Sequence, residues 1–94
     1  MSSFVLTLYV TGQTPRATRA IENLRRMCRD DLSDNYQVVV IDVLEQPQLA
    51  EDQKILATPT LIKALPPPLR RIIGDLSEKE KVLLGLDLKP PAEA

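Results

Sequence analysis

The chain has 94 residues, of which 44% are hydrophobic and 27% charged, and 12 basic against 13 acidic side chains give a net charge of −1. This length suits one domain. The balanced charge and the low aromatic content of 3% argue against binding to nucleic acid or to an anionic membrane. The sequence has no His and one Cys, Cys28, which excludes His-based catalysis, a His-ligated zinc site and a CxxC redox pair. The composition therefore predicts no metal or other cofactor.

The first residues and the hydropathy pattern predict a cytoplasmic domain. Met1 to Ser3 lacks the charged region of a signal peptide, and no apolar run approaches the roughly 18 residues that a membrane-spanning helix requires. We expect the domain to occupy residues 1–88. The end of the chain, 89–94, contains two prolines and is predicted to be a disordered tail.

The first half of the chain predicts a β-α-β unit. Residues 4–10 are almost continuously apolar and typical of a strand covered on both faces. Thr14 is a suitable N-cap and Pro15 a suitable first residue of a helix. The apolar positions of this helix follow the 3.6-residue spacing of one buried face: Ala17, Ala20, Ile21, Leu24, Met27 and Cys28. Residues 36–43 are rich in β-branched side chains, which predicts a second strand.

The second half alternates short helices and strands. A short helix is predicted within 45–54, with Leu49 and Ala50 as its apolar anchors. The strand-like run 55–62 contains Pro59, which predicts a bulge, a strand start or a cis bond. Residues 70–73 can form a further strand. Ser77 and Glu80 have the spacing of a capping box, which predicts a third helix, although residues 86–88 could also extend as a strand.

The resulting order β-α-β-α-β-β-α is the arrangement of a thioredoxin-like α/β domain. In that fold a cis-proline precedes the third strand, and Pro59 is the candidate for it here. The redox motif of that fold lies between the first strand and the first helix. Residues 11–15 occupy that place and contain no thiol.

Two features outside this pattern are candidates for chemistry or binding. Cys28 lies on the apolar helix face near the helix C-terminus, where a thiolate is not favoured, so we interpret it as a buried structural thiol. The exposed face of the same helix carries arginines, which suit bidentate recognition of an acidic partner as well as they suit a solvated face. They are Arg16, Arg19 and Arg26, flanked by Arg25 and Arg29.

Several segments closely resemble KaiB, the circadian clock family. The resemblance extends from residue 4 to residue 88, and its most specific part is the run from Ile55 to Leu76. It is carried by Leu8–Pro15, Ile41–Val43, Pro47–Glu51, Ile55–Leu61 and Leu65–Ser77.

The resemblance implies a protein without enzymatic activity that regulates a circadian clock. KaiB-like proteins bind the first ATPase ring of the hexameric ATPase KaiC, and they sequester KaiA and displace a sensor kinase. These proteins are the expected partners here, although Gln37 and Val39 differ from the Ala and Lys of members that capture KaiA. The positions that match family binding residues are Arg19, Lys54, Arg70 and Arg71.

The resemblance also implies two alternative folds: a thioredoxin-like monomer that binds KaiC, and a ground state that forms dimers or tetramers. In the ground state the segment near 60–65 is helical and the segment near 85–88 is a strand. Phe4, Gly85 and Asp87 match positions that set the balance. The capping box at Ser77 favours the thioredoxin-like state.

Two other functions remain as alternatives from the sequence. One is a thiol oxidoreductase that uses Cys28, and the other is a thioredoxin-like adaptor of a stress-response kinase.

Overall fold

The computed structural model describes residues 4–32 and 35–87, which contain four strands and three helices. The strands are β1 (Phe4–Val10), β2 (Tyr36–Asp42), β3 (Thr60–Leu65) and β4 (Arg70–Ile73), and the helices are α1 (Pro15–Asp31), α2 (Pro47–Asp52) and α3 (Lys79–Gly85). The order along the chain is the predicted thioredoxin-like order. The predicted tail at 89–94 lies outside the described residues.

The strands form one mixed sheet in the order β2-β1-β3-β4. β1 pairs with β2 in parallel, as the predicted β-α-β unit requires, and pairs with β3 in antiparallel fashion. β4 is antiparallel to β3, with Ile62 opposite Arg71 and Leu61 opposite Ile72. β3 is a strand and α3 is a helix, which is the arrangement expected of the thioredoxin-like state.

The main hydrophobic core lies between the sheet and helices α1 and α3. The α1 side chains predicted from the 3.6-residue spacing are buried, except that Ile21 is half-buried. They meet Leu6 and Leu8 of β1, Leu61 of β3 and the apolar side of α3. A smaller cluster of Tyr9, Ile41 and Ile62 covers the opposite face of the sheet. The sheet therefore has a fully packed face and a face that is covered only in part.

The start of α1 follows the local sequence. The Oγ1 atom of Thr14 accepts a hydrogen bond of 3.1 Å from the amide of Ala17, and Pro15 occupies the first turn. The side chain of Thr14 thus satisfies one of the amides that have no partner inside the helix.

The structure corrects two predictions about the short helices: where α3 begins, and whether α2 is anchored by buried side chains. α3 begins after Glu78 rather than after Ser77, and its N-cap makes no side-chain hydrogen bond. The amide of Ser77 instead donates to Oδ1 of Asp75 over 3.1 Å, so a turn competes with the predicted capping box. α2 has no buried residue, and Leu49, its expected anchor, is 39% exposed.

The peptide bond between Thr58 and Pro59 is cis, which is one of the three alternatives that the sequence leaves open. β3 begins at Thr60, immediately after it, and not at residue 55. Leu86 and Asp87 follow α3 as its cap rather than as a strand.

Candidate functional site

The connection between β2 and β3, residues 43–59, contains the predicted binding residue Lys54 and exposes several apolar side chains. Leu44 is 68% exposed and Leu56 is 95% exposed. The start of the connection is fixed by Asp42, whose Oδ1 accepts hydrogen bonds from the amides of Gly12, at 3.0 Å, and Leu44, at 2.9 Å. Exposed apolar side chains on an ordered connection are typical of a protein-binding surface.

Lys54 lies at the end of α2 in the left-handed region, with φ of 54°. Its amide donates to the carbonyl of Glu51 over 3.0 Å, and the amide of Ile55 donates to the carbonyl of Ala50 over 2.9 Å. These two bonds form a Schellman motif, in which the left-handed position is usually Gly. The side chain of Lys54 is exposed beside this turn.

Arg71 of β4 contacts the same turn from the sheet. Its Nη2 donates to the carbonyl of Gln53 over 3.0 Å, and its Nη1 lies 3.4 Å from the carbonyl of Lys54. The guanidinium therefore meets carbonyls at the C-terminal end of α2, where a positive charge is favourable. Two of the four predicted partner-binding residues, Lys54 and Arg71, are thus direct neighbours.

Arg19 belongs to a different part of the molecule. Its Nη1 lies 3.6 Å from Oδ2 of Asp75, in the turn between β4 and α3, and its side chain is 59% exposed. The side-chain amide of Asn23, one helical turn further along α1, donates to the carbonyl of Asp75 over 2.8 Å. Hydrogen bonds from Ser77, and then the charge of Arg19, lower the pKa of Asp75.

Arg70 is exposed and points to the opposite face of the sheet from Arg71, because successive side chains of a strand alternate. Ile72, on the same face as Arg70, packs against the main core. The four predicted binding residues thus fall into two groups. Lys54 and Arg71 lie on one face of the sheet, and Arg19 and Arg70 lie on the face that α1 and α3 cover.

The place of a thioredoxin redox motif is occupied by hydroxyl groups. Oγ1 of Thr11 lies 2.6 Å from Oγ1 of Thr58, beside Pro59. A depression of about 220 Å³ is lined by these residues together with Thr14 and Arg16. Cys28 is fully buried elsewhere, and burial, followed by the nearby charge of Asp31, raises the pKa of its thiol to about 11. A thiol in this state is a poor nucleophile at neutral pH.

The three residues predicted to set the balance of folds lie at ends of elements. Phe4 begins β1 and packs, half-buried, against the main core. Gly85 is the last residue of α3, and Asp87 follows in the left-handed region with φ of 60°. The amide of Asp87 donates to the carbonyl of Leu84 over 3.1 Å and thereby closes the end of α3.

Asp75 and Lys63 are residues that the sequence analysis missed. The turn that ends β4 carries Asp75, and its Asp-x-Ser pattern is a local signal that the capping-box interpretation of Ser77 obscured. Lys63 of β3 is 1% exposed and shares the face of Leu61, toward the main core. No hydrogen bond or ion pair joins its side chain to another described residue, and no buried side-chain nitrogen of these residues lacks a partner, so the ammonium group reaches solvent.

Within residues 4–32 and 35–87, no helix is long and apolar enough to cross a membrane. Over the same residues, no group of three or more Cys, Asp and Glu side chains is placed to hold a metal ion.

The comparisons with known proteins agree with this geometry. The family model of the KaiB domain matches residues 7–88. The chain is 62% identical to the circadian clock protein KaiB3 of Synechocystis over 96% of the chain and 88% of that protein. It is 60% identical to the circadian clock oscillator protein KaiB of Prochlorococcus marinus strain MIT 9312, over 92% of the chain and 82% of that protein.

Solved structures of low sequence identity show the same fold. The N-terminal domain of SasA from Synechococcus elongatus matches with a TM-score of 0.76 and 22% identity, over 99% of the chain and 91% of that domain. Mitochondrial thioredoxin 3 from Saccharomyces cerevisiae matches with a TM-score of 0.73 and 17% identity, over 95% of the chain and 81% of that protein. These likenesses support the thioredoxin-like assignment of the fold.

Proposed function

Since the chain belongs to the KaiB family of circadian clock proteins, we propose that it is a non-enzymatic clock regulator that binds the first ATPase ring of a KaiC-type hexamer in its thioredoxin-like state. Binding would modulate the phosphorylation cycle of the ring and the exchange of its partners. The observation that carries this proposal is the connection 43–59, which exposes Lys54 together with several apolar side chains.

This surface has the composition of a protein interface. Leu44, Leu49 and Leu56 expose apolar area that water solvates poorly, and Lys54 of the same connection adds a positive charge. An apolar patch on a partner with a carboxylate placed opposite Lys54 would complement both, while the exposed Glu45, Glu51 and Asp52 would repel further acidic groups. Arg19 lies outside this surface, on α1, and there a partner carboxylate would compete with Asp75 for its guanidinium.

The mechanism would be a shift of population between two folds. A ring that binds only the thioredoxin-like monomer depletes the ground state, a dimer or tetramer, by its differential affinity. Gly85 and Asp87 at the end of α3, and Phe4 against the core, would set how much of the chain is available for binding. KaiA and a sensor kinase are further candidate partners, and the cytoplasm is the expected compartment.

The burial of Cys28 argues against the thiol oxidoreductase. A sulfur atom with no exposure cannot reach a disulfide substrate, and its raised pKa leaves little thiolate at neutral pH. A kinase adaptor would use the same exposed surface, so it is separated from clock regulation by the identity of the bound protein.

Mixing with a KaiC-type hexamer in its ATP-hydrolysed form tests the proposal, with binding followed by size-exclusion chromatography. We expect the wild-type chain to elute with the ring and Lys54→Asn to bind about tenfold more weakly. Asn removes the charge and tolerates the left-handed backbone. Lys81→Gln removes a cation from α3, 78% exposed in its side chain, and is expected to bind as the wild type does. Retention of a kinase, with no binding to the ring, would contradict the proposal.

A further inference from the structure

Interactions within α2 are too few to fix its position on the sheet. It has six residues, none of them buried, and its N-cap Gln46 makes no side-chain hydrogen bond. Isolated helices of this length are unstable in water, so tertiary contacts must fix α2 against the sheet. Its last turn also contains no basic side chain that could neutralise the terminal carbonyls.

The turn that follows α2 is occupied by a residue poorly suited to it. Lys54 adopts φ of 54°, where a β-carbon is crowded and Gly is the usual residue. Strain of this kind persists only where the surroundings impose it, and it is found at functional positions. A Gly here would keep both hydrogen bonds of the Schellman motif, so the backbone does not require the side chain of Lys54.

Arg71 supplies a tertiary contact between the sheet and the end of α2. Its guanidinium reaches the carbonyls of Gln53 and Lys54 at 3.0 and 3.4 Å from a strand paired to the centre of the sheet. A planar fork can bridge two adjacent carbonyls, which a single ammonium cannot do equally well. Ile55, the next residue, packs against the small cluster on the same face. The turn is thus fixed from both sides.

We propose that Arg71 is a positioning residue: it holds the left-handed turn at Lys54 and thereby presents the Lys54 side chain to the partner, rather than binding the partner itself. This inference rests on the proposed function insofar as Lys54 contacts the ring. It revises the sequence-based expectation that Arg71 is a contact residue like Lys54.

Amide hydrogen exchange of the free chain tests the inference without a partner. The reporters are the amides of Lys54 and Ile55, which donate the two bonds of the Schellman motif. In Arg71→Gln we expect both to exchange about tenfold faster, and in Arg71→Lys by an intermediate factor. Arg70→Gln, the adjacent change on the other face, serves as the control for exchange and leaves both rates unchanged. Amides in the middle of α1 report any loss of global stability.

A double-mutant cycle then tests how Arg71 affects binding to the ring. If Arg71 acts through Lys54, Arg71→Gln weakens binding several-fold in the wild-type background and less than twofold in Lys54→Asn. Equal factors in both backgrounds would show that Arg71 contacts the partner independently, and the inference would be wrong. Unchanged exchange at Lys54 and Ile55 in Arg71→Gln would also overturn it. Absence of binding by the wild-type chain would instead overturn the proposed function, while the exchange result would still decide the role of Arg71.

Discussion

Gly85→Ala tests how the end of α3 is stabilised. Gly is unfavourable in a helix by roughly 0.5–1 kcal/mol relative to Ala, so the sequence predicts that the substitution strengthens α3 and favours the thioredoxin-like state. The structure adds an opposing contact. A β-carbon at position 85 would lie 2.5 Å from Cδ1 and 3.2 Å from Cγ1 of Ile72.

The contact should cancel most of the gain. The δ-methyl group of Ile72 must rotate away, which costs about 0.5–1 kcal/mol if the new side-chain angle is not a preferred one. We therefore expect Gly85→Ala to change the free energy of unfolding by less than about 0.5 kcal/mol in the wild-type background. In an Ile72→Val background, which lacks Cδ1 but keeps the γ-carbon at 3.2 Å, the same substitution should be more favourable than in the wild-type background by about 0.5–1.5 kcal/mol.

Urea denaturation of the wild type, the two single variants and the double variant measures this difference. Ile72→Val alone is expected to cost about 0.5–1.5 kcal/mol, and the cycle removes that cost from the comparison. Backbone chemical shifts of residues 79–85 report whether α3 remains helical. An effect of Gly85→Ala that is equal in both backgrounds would refute the steric reasoning. More strand-like shifts in Gly85→Ala would refute the helix reasoning as well.

Three further predictions concern buried or partnered side chains. Because the pKa of Cys28 is about 11 in the folded chain, against 9.0 ordinarily, the folded state retains its proton longer, and stability measured by urea should fall between about pH 9 and 11. The fall should be smaller in Cys28→Ala, where only the raised pKa of Tyr9 acts in the same direction, and an equal fall in both proteins would contradict the burial of the thiol. The pKa of Asp75 is lowered in the folded chain, so the unfolded state takes up the proton first as the pH falls below 3.8, and the stabilisation by Asp75 is lost. The destabilisation that Asp75→Asn causes at pH 7 should therefore shrink below pH 3.8. A difference in stability that persists unchanged would contradict the role of Asp75. Lys63→Met should change the free energy of unfolding by less than about 1 kcal/mol, since Met keeps the buried apolar stem of Lys63 and no buried side-chain nitrogen of the described residues lacks a hydrogen-bond partner; a larger loss of stability in urea would contradict this.

Local sequence patterns predicted correctly those elements for which the residues allow only one interpretation. Thr14 and Pro15 start α1, and the 3.6-residue spacing identified its buried face, because both depend on neighbours within a turn or two. The start of α3 was misplaced because Asp75 and Ser77 can form either a turn or part of a cap, and the ion pair of Asp75 with Arg19 favours the turn.

The sequence predicted residues of the candidate site but not the contacts that they make. Resemblance selected Lys54 and Arg71, but nothing in their spacing indicates that the guanidinium meets the carbonyls at the end of α2. The pair of Arg19 with Asp75 is equally hidden, because it joins distant parts of the chain. Such contacts depend on sheet order and strand register, which local patterns do not determine.

The most direct test of the account is size-exclusion chromatography with mass detection of the chain alone and with a KaiC-type hexamer in its ATP-hydrolysed form. The account predicts that the chain elutes with the ring, and that free chain in the thioredoxin-like state is a monomer. It also predicts that Lys54→Asn reduces the amount bound and that Lys81→Gln does not. A folded chain that does not elute with the ring at any concentration tested would contradict the central claim.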